Sequence, residues 1–191
     1  MKVPGRNEMA ALGLVGREPM HGYRINQIVQ QMGLEHWANL SPSSIYNTLG
    51  RLAKKGAVSV TTEREGKAPE RTVYHITDRG RDLLQEHLRA SLVYVGPEDR
   101  LFYVAVSFME SLPEEEIAAL LEERIRRIET LIEDEQKCTS DPGMPPHIVL
   151  MCEAGMFHFR VEIDVCRRLI DLMRGRPRYF EETGGRSDES R

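Results

Sequence analysis

The fold of this chain is constrained chiefly by a set of three closely spaced segments in the first sixty residues, in which apolar residues recur at helical spacing. Apolar residues at intervals of three and four predict short helices over about 8–16, 23–32 and 41–56. The third helix has the clearest start, because Ser41 followed by Pro42 is typical of an N-cap and a first helical position. Helices this short need one another to bury their apolar sides, so they are expected to form a compact bundle.

The hydrophobic period then changes from helical to extended. Two runs rich in β-branched residues, 57–62 and 71–77, flank a polar segment at 65–70 that contains Gly and Pro. This pattern predicts a β-hairpin with a charged loop. Another helix is predicted to begin after Thr77. Three helices, a hairpin and a helix in this order are typical of a winged helix-turn-helix domain, in which the hairpin is the wing.

The third helix carries the side chains that this fold would present to DNA. Ile45, Leu49 and Leu52 lie on one side of the helix and are expected in the core. Tyr46 is predicted either to contact the DNA backbone or to pack against the other helices. Hydroxyl, amide and guanidinium groups can bind base edges or phosphate oxygens. The polar side chains expected to contact DNA are those of Ser43, Ser44, Asn47, Thr48 and Arg51.

The distribution of charge also assigns an anionic partner to the first half of the chain. Residues 1–90 hold 13 Lys and Arg against 9 Asp and Glu, whereas residues 91–191 hold 13 against 21. Lys67 and Arg71 belong to the predicted wing, where cations suit contact with phosphates. We therefore expect the first half to bind double-stranded DNA.

The second half is helical in pattern throughout. Long amphipathic helices are predicted over about 114–137 and 147–174. They present more apolar surface than a small domain can cover, which favours a homodimer. The alternative is that the two helices cover each other within one chain, and we expect each arrangement to bury part of the surface. The residues expected at the dimer contact are Ile148, Cys152, Met156, Phe159, Ile163, Cys166 and Ile170.

These patterns predict a mainly α fold (α+β in detail) with three regions. Residues 1–95 are expected to form the winged helix-turn-helix domain with a two-stranded wing. Residues 96–175 are expected to form an all-helical dimerisation domain, and 176–191 a polar, flexible tail.

Other functional classes find little support in the sequence. Cys138, Cys152 and Cys166 cannot all pair, and no spacing typical of a metal site occurs, so neither a metal nor another cofactor is expected. No nucleophile–base arrangement or phosphate loop indicates an enzyme. The apolar runs are too short for a membrane span or a convincing signal peptide, which favours a cytoplasmic protein. Trp37, Phe102, Tyr103 and Phe108 are either core residues or the lining of a small-molecule pocket.

Several separated motifs in the first ninety residues resemble one family. They are Ala11–Val15 with Pro19–Tyr23, the third-helix segment Ser43–Leu52, and the wing segment Gly66–Arg81 with its proline and its Tyr-x-x-Thr-x-x-Gly step. Together they are similar to the winged-helix domain of PadR-family transcriptional regulators. The acidic helical half resembles the C-terminal domain of the larger members.

The resemblance implies a dimeric winged-helix regulator that binds an operator in DNA. Members of the family are usually repressors, and a small molecule often relieves the repression. Two other hypotheses remain open from the residues themselves. One is a winged-helix module that contacts proteins and has no specific DNA binding, and the other is an enzyme built on the helical half.

Overall fold

The computed structural model describes residues 5–64, 70–96, 99–175 and 179–180. The chain divides into two compact units, Met1–Leu112 and Pro113–Arg191. No helix within the described ranges is both long enough and apolar enough to span a bilayer.

The first unit holds helices, a small sheet and one 3-10 turn. Its elements are α1 (Arg6–Arg17), β1 (Met20–His21), α2 (Gly22–Gln31), α3 (Leu34–Ala38), α4 (Pro42–Lys54), β2 (Val58–Glu63), β3 (Arg71–Ile76), α5 (Asp78–Val93), α6 (Asp99–Val106) and the 3-10 turn Met109–Ser111.

The predicted winged helix-turn-helix order is confirmed, with two additions. The sheet has three antiparallel strands in the order β1-β3-β2, so the predicted two-stranded wing gains a third strand. In this sheet Met20 of β1 lies opposite Tyr74, and Val58 of β2 lies opposite Ile76. The short helix α3 is also new, and it lies between Gly33 and Asn39, which both have positive φ. Both elements are too short to show a hydrophobic period.

Side-chain caps begin the helices where the sequence predicts them. The Ser41 hydroxyl accepts a hydrogen bond from the Ser44 N–H at 3.2 Å, and Pro42 occupies the first turn of α4. The Thr77 hydroxyl accepts from the Gly80 N–H at 3.2 Å and donates to the Gly56 carbonyl at 2.8 Å. Because these contacts are local, they are encoded within a few residues.

The core of the first unit is built around α1, which is buried from Met9 to Val15. Helix α6 packs against α1, α3 and α5. The ring of Phe108 lies directly against Gly13, where a Cβ would collide with it. The predicted boundary between residues 95 and 96 therefore falls inside the first compact unit, because Phe102 and Phe108 are core residues.

The second unit consists of α7 (Glu114–Thr139) and α8 (Pro146–Arg174), which pack on each other. Arg124 of α7 is 2 % exposed and donates to Glu162 of α8 at 2.5 Å. Cys166 is buried beside this pair, and burial raises the pKa of its thiol to about 11. The two long helices predicted for this half are confirmed, and part of their apolar surface is buried between them.

Candidate nucleic-acid interface

Helix α4 has one side committed to the core and one side facing solvent. Ile45, Leu49 and Leu52 are fully buried, as predicted, and α4 packs on α1 and α2. The opposite side is exposed along the whole helix. Its residues are Ser43, Asn47, Gly50, Arg51 and Lys54.

The hydroxyls at the start of α4 have different surroundings. Ser43 is exposed, and its hydroxyl lies 3.0 Å from that of Ser41. Ser44 is half-buried and donates to the Ser41 carbonyl at 2.7 Å, in addition to its role in the cap. Ser43 therefore has the better access to a partner, while Ser44 is held by the helix start.

Thr48 does not lie on the outer side of α4. It is fully buried, and its hydroxyl donates to the Ser44 carbonyl at 2.8 Å and accepts from Arg51 Nη2 at 3.1 Å. This burial argues against the predicted contact between Thr48 and DNA. Its contact with Arg51 instead fixes the orientation of a guanidinium group that is exposed at the surface.

Tyr46 joins α4 to the start of α2. Its half-buried hydroxyl donates to the Gly22 carbonyl, and burial raises the pKa of the phenol. A Cβ on residue 22 would lie 2.6 Å from the Tyr46 hydroxyl oxygen, so glycine leaves the room for this contact. Of the two roles predicted for Tyr46, this contact supports helix packing.

A groove of about 430 Å³ lies beside α4, between the start of α2 and strand β3. Tyr23 lines this groove and is 69 % exposed, and its ring stacks at 6.5 Å on that of His21. The His21 ring caps α2 by accepting from the Arg24 N–H at 3.4 Å. Besides His21 and Tyr23, the groove is lined by Gly22, Tyr46, Arg71, Thr72 and Tyr74.

Sequence reasoning missed His21 and Tyr23 as candidate contact residues. They reach the groove because β1 pairs with β3, which places His21 opposite Val73. A pairing of two residues across more than fifty positions leaves no local signal. The Pro19–Tyr23 motif was the available sign, since its exposed tyrosine has no evident packing role.

The wing is only partly described. Arg71 is exposed at the start of β3, opposite Glu63 of β2, and it also lines the groove. Lys67 lies outside the described residues. Farther along the hairpin, Thr61 and His75 form a cross-strand hydrogen bond of 2.8 Å.

The cations at the end of α4 are not equivalent. Lys55 donates to Glu8 of α1 at 2.8 Å, and this hydrogen bond lowers the pKa of the Glu8 carboxyl. His87 lies beside this pair on α5, and burial lowers the pKa of its imidazole. Lys55 therefore connects α4 to α1, whereas the exposed Arg51 and Lys54 are positioned to meet an anionic surface.

A second cavity of about 530 Å³ lies between α3 and α6 within the first unit. It is lined by Trp37, Arg100, Tyr103, Val106 and Ser107. The Trp37 indole N–H donates to the Met32 carbonyl at 2.8 Å, which anchors the turn before α4. Phe102 and Phe108 lie in the core, so of the three aromatic residues between 102 and 108 only Tyr103 lines this cavity.

The apolar surface of α8 differs from the predicted dimer contact. Met156, Ile163, Cys166 and Ile170 are buried within the single chain, where α7 packs on α8. Ile148, Cys152 and Phe159 are half-buried. A second stripe remains exposed on the same helix, and it consists of Leu150, Met151, Phe157 and Val161.

Within the described part of the chain, no three His, Cys, Asp or Glu side chains converge in a way that would hold a metal ion. Cys166 is a buried free thiol.

Comparison with known proteins agrees with the winged-helix geometry of the first unit. The sequence model described as the transcriptional regulator PadR-like family matches residues 11–86. The comparison with curated proteins gave no significant match.

Solved structures give similarities at low identity. Bacillus subtilis PadR in complex with operator DNA is 20 % identical, with a TM-score of 0.39 over 87 % of this chain and 98 % of that chain. The smu.1604c protein from Streptococcus mutans UA159 is 22 % identical, with a TM-score of 0.40 over 86 % and 97 %. The PadR-like transcriptional regulator BC1756 from Bacillus cereus is 20 % identical, with a TM-score of 0.37 over 88 % and 98 %.

Proposed function

We propose that this chain is a sequence-specific DNA-binding repressor, because residues 11–86 match the sequence model of the PadR-like transcriptional regulator family. Helix α4 enters the major groove, and the wing and the neighbouring groove follow the phosphate backbone. The protein acts as a homodimer on a two-fold operator, and a small molecule releases it.

The observation that carries the proposal is the division of α4 into two sides. Its core side is fully buried at Ile45, Leu49 and Leu52, so the helix is held rigidly. Its outer side offers the Asn47 amide and the Arg51 guanidinium, which are groups that pair with base edges. A rigid helix with such groups on its free side is suited to reading a sequence.

The groove beside α4 supports contact with the DNA backbone. Of the residues that line it, Arg71 supplies a cation and the exposed Tyr23 supplies a hydroxyl. Both groups bind phosphate oxygens without reading bases. Lys67, which is outside the described residues, is assigned the same role. These contacts would position α4 and contribute affinity for any duplex.

The exposed stripe on α8 supports the homodimer. Leu150 and Phe157 are 67 % and 64 % exposed, and Val161 continues the stripe one turn later. Apolar side chains at spacings of seven and four lie on one face of a helix. A second copy of the same helix would cover that face by symmetry. A dimer would also place two α4 helices on half-sites about 34 Å apart.

The cavity between α3 and α6 supports release by a small molecule. Trp37 and Tyr103 offer aromatic surface, and Arg100 supplies a cation at the same cavity. Helix α3 is followed within three residues by Ser41, the cap of α4. A ligand that displaces α3 would therefore alter the start of the DNA-reading helix. We assign the effector to the class of small aromatic anions.

Selection of duplexes from a random library, followed by fluorescence anisotropy, tests the proposed function. Wild-type protein is expected to bind the selected duplex at least about a thousandfold more tightly than a shuffled duplex of equal length. Both affinities are expected to fall steeply with salt. Equal affinity for the two duplexes would instead favour a winged-helix module that contacts proteins.

A further inference from the structure

Gly50 occupies a position in α4 where nothing in the described chain calls for glycine. It lies in the helix interior, and its φ is not positive. A Cβ built on it has no atom of the described chain within 4 Å. Two other helical glycines of the first unit are crowded, since Phe108 lies against Gly13 and the Ala57 carbonyl lies against Gly80, whereas a Cβ on Gly16 would meet only ordinary contacts.

Glycine in a helix interior weakens the helix, because it has the greatest backbone freedom to lose on folding. An alanine at position 50 would remove this cost without meeting any neighbour. Gly50 therefore lowers the stability of α4, and no contact within the described chain requires a glycine there. One reason for glycine that lies outside the folded chain is the close approach of a bound partner.

The surroundings of Gly50 indicate where that approach occurs. Ser43, Asn47 and Lys54 share its exposed side, at helical spacings of seven, three and four residues. The side chains are short as far as Gly50, and the cations Arg51 and Lys54 follow it. Short side chains on this side would let α4 lie deep in the major groove, and the two cations at the end of the helix would then lie near phosphates.

We propose that Gly50 is the point of closest contact between α4 and the base edges of the operator, so that the absent side chain sets both the depth of the helix and its sequence preference. This inference rests on the proposed DNA-binding function. It makes Gly50 a specificity-determining residue that acts through the space it leaves.

The test is the pair Gly50→Ala and Gly50→Leu, measured on the selected duplex and on a shuffled one. We expect Gly50→Ala to raise the Tm by about 2–4 °C, because alanine favours the helix. We also expect it to weaken binding to the selected duplex by about tenfold, the loss of one good base contact. Gly50→Leu should weaken this binding further. Binding to the shuffled duplex should change by less than about threefold, since phosphates dominate it.

Gly16→Ala is the matched control. Gly16 is also a helical glycine in the first unit, and a Cβ there would meet Ile76 and Leu84 at the ordinary distances of 3.6 and 3.7 Å. This variant is expected to raise the Tm similarly and to leave both affinities unchanged. It separates a general effect of helix stabilisation from an effect at the DNA surface.

The possible outcomes distinguish this inference from the function on which it rests. If wild-type protein does not prefer the selected duplex, the proposed function fails. If it does, and Gly50→Ala binds that duplex as tightly as wild type, the function stands and the role of Gly50 is overturned. Equal weakening on both duplexes would also overturn it, because the contact would then be to the backbone. A lowered Tm for Gly50→Ala would show that the position is constrained within the chain itself.

Discussion

The Tyr46 hydroxyl donates its hydrogen bond to the Gly22 carbonyl and thereby ties α4 to the start of α2. Twenty-four residues separate the two groups, and the contact depends on the absence of a side chain at position 22. The orientation of α4 is therefore set from outside the helix as well as by its own core side.

Removing the Tyr46 hydroxyl is expected to destabilise the first unit modestly. Tyr46→Phe keeps the ring but leaves the Gly22 carbonyl without this donor, so the free energy of unfolding should fall by about 0.5–1.5 kcal/mol. Urea denaturation measures it. Tyr23→Phe removes a hydroxyl from an exposed ring and serves as the control. Equal stability of Tyr46→Phe and wild type would show that water replaces the contact without loss.

Removing cations from the wing is expected to weaken binding to every duplex. Lys67→Ala combined with Arg71→Ala should lower the affinity for selected and shuffled DNA by similar factors. Each lost phosphate contact should flatten the slope of log K against log salt by about 0.9. A salt titration of the double variant measures this slope. An unchanged slope would remove the wing from the backbone contacts.

Asn47 is expected to discriminate between sequences. Asn47→Ala should cost about 1–3 kcal/mol on the selected duplex and less on a shuffled one, since an amide can bind the edge of a base through two hydrogen bonds. Folding should be nearly unaffected because the residue is exposed. Anisotropy on both duplexes measures the difference. Similar losses of affinity for the two duplexes would indicate that Asn47 contacts phosphate groups and not base edges.

Thr48 provides the contrasting substitution on the same helix. Thr48→Val keeps the volume but removes a buried hydroxyl that bonds Ser44 and Arg51. The free energy of unfolding should fall by about 1–3 kcal/mol, because the Ser44 carbonyl loses this donor. Chemical denaturation measures the loss. A variant with wild-type stability and weakened DNA binding would instead indicate that Thr48 contacts DNA.

A charge in the exposed stripe of α8 is expected to separate the subunits. Phe157→Glu places a carboxylate where the second copy would bury an aromatic ring, so the protein should sediment as a folded monomer with reduced operator affinity. Arg160→Gln changes the net charge equally at an exposed position outside the stripe and should remain dimeric. Ile163→Asp, in the buried face, should unfold the second unit instead. A Phe157→Glu dimer would exclude this stripe as the interface.

The Glu8–Lys55 pair is expected to contribute stability only above acidic pH. The Glu8 pKa lies below its ordinary value of 4.5 in the folded protein, chiefly because Lys55 donates to the carboxylate. The unfolded chain therefore binds a proton more readily, and the contribution is lost as pH falls from 4.5 through the lowered pKa. Lys55→Gln should be less stable than wild type at pH 7 by up to about 1 kcal/mol. Denaturation curves at several pH values should converge in acid, and a constant difference would assign the effect to packing.

Local sequence signals predicted the parts of the fold that local contacts determine. The Ser41 and Thr77 caps, the core side of α4 and the β2–β3 hairpin each depend on residues close in sequence. Strand β1 and helix α3 do not, since two and five residues are too few for a hydrophobic period. Strand β1 is determined by its pairing with β3, and helix α3 is determined by its packing against α2 and α6.

The surroundings of Thr48 and of the α8 stripes differ from expectation for the same reason. Thr48 has a polar side chain, which favours a position on the exposed side of α4. Its hydroxyl is nevertheless buried, because it donates to the Ser44 carbonyl of the same helix. Helix α8 carries two apolar stripes, and its sequence pattern does not indicate which stripe packs within the chain and which one meets a second copy. Helix α7 covers the longer stripe within the same unit, which leaves Leu150 and Phe157 outside.

The contact between Gly13 and Phe108 has a consequence for how this domain can be divided. A fragment ending at residue 95 would lack the aromatic ring that fills the space beside α1, and it would expose the most deeply buried helix of the unit. A fragment ending at Leu112 would retain that ring, together with the Arg17 guanidinium that stacks over it at 4.9 Å and pairs with Glu110. Any exchange of winged-helix units between relatives would therefore need its junction after Leu112, because the segment that leads to the second unit is also part of the interior of the first.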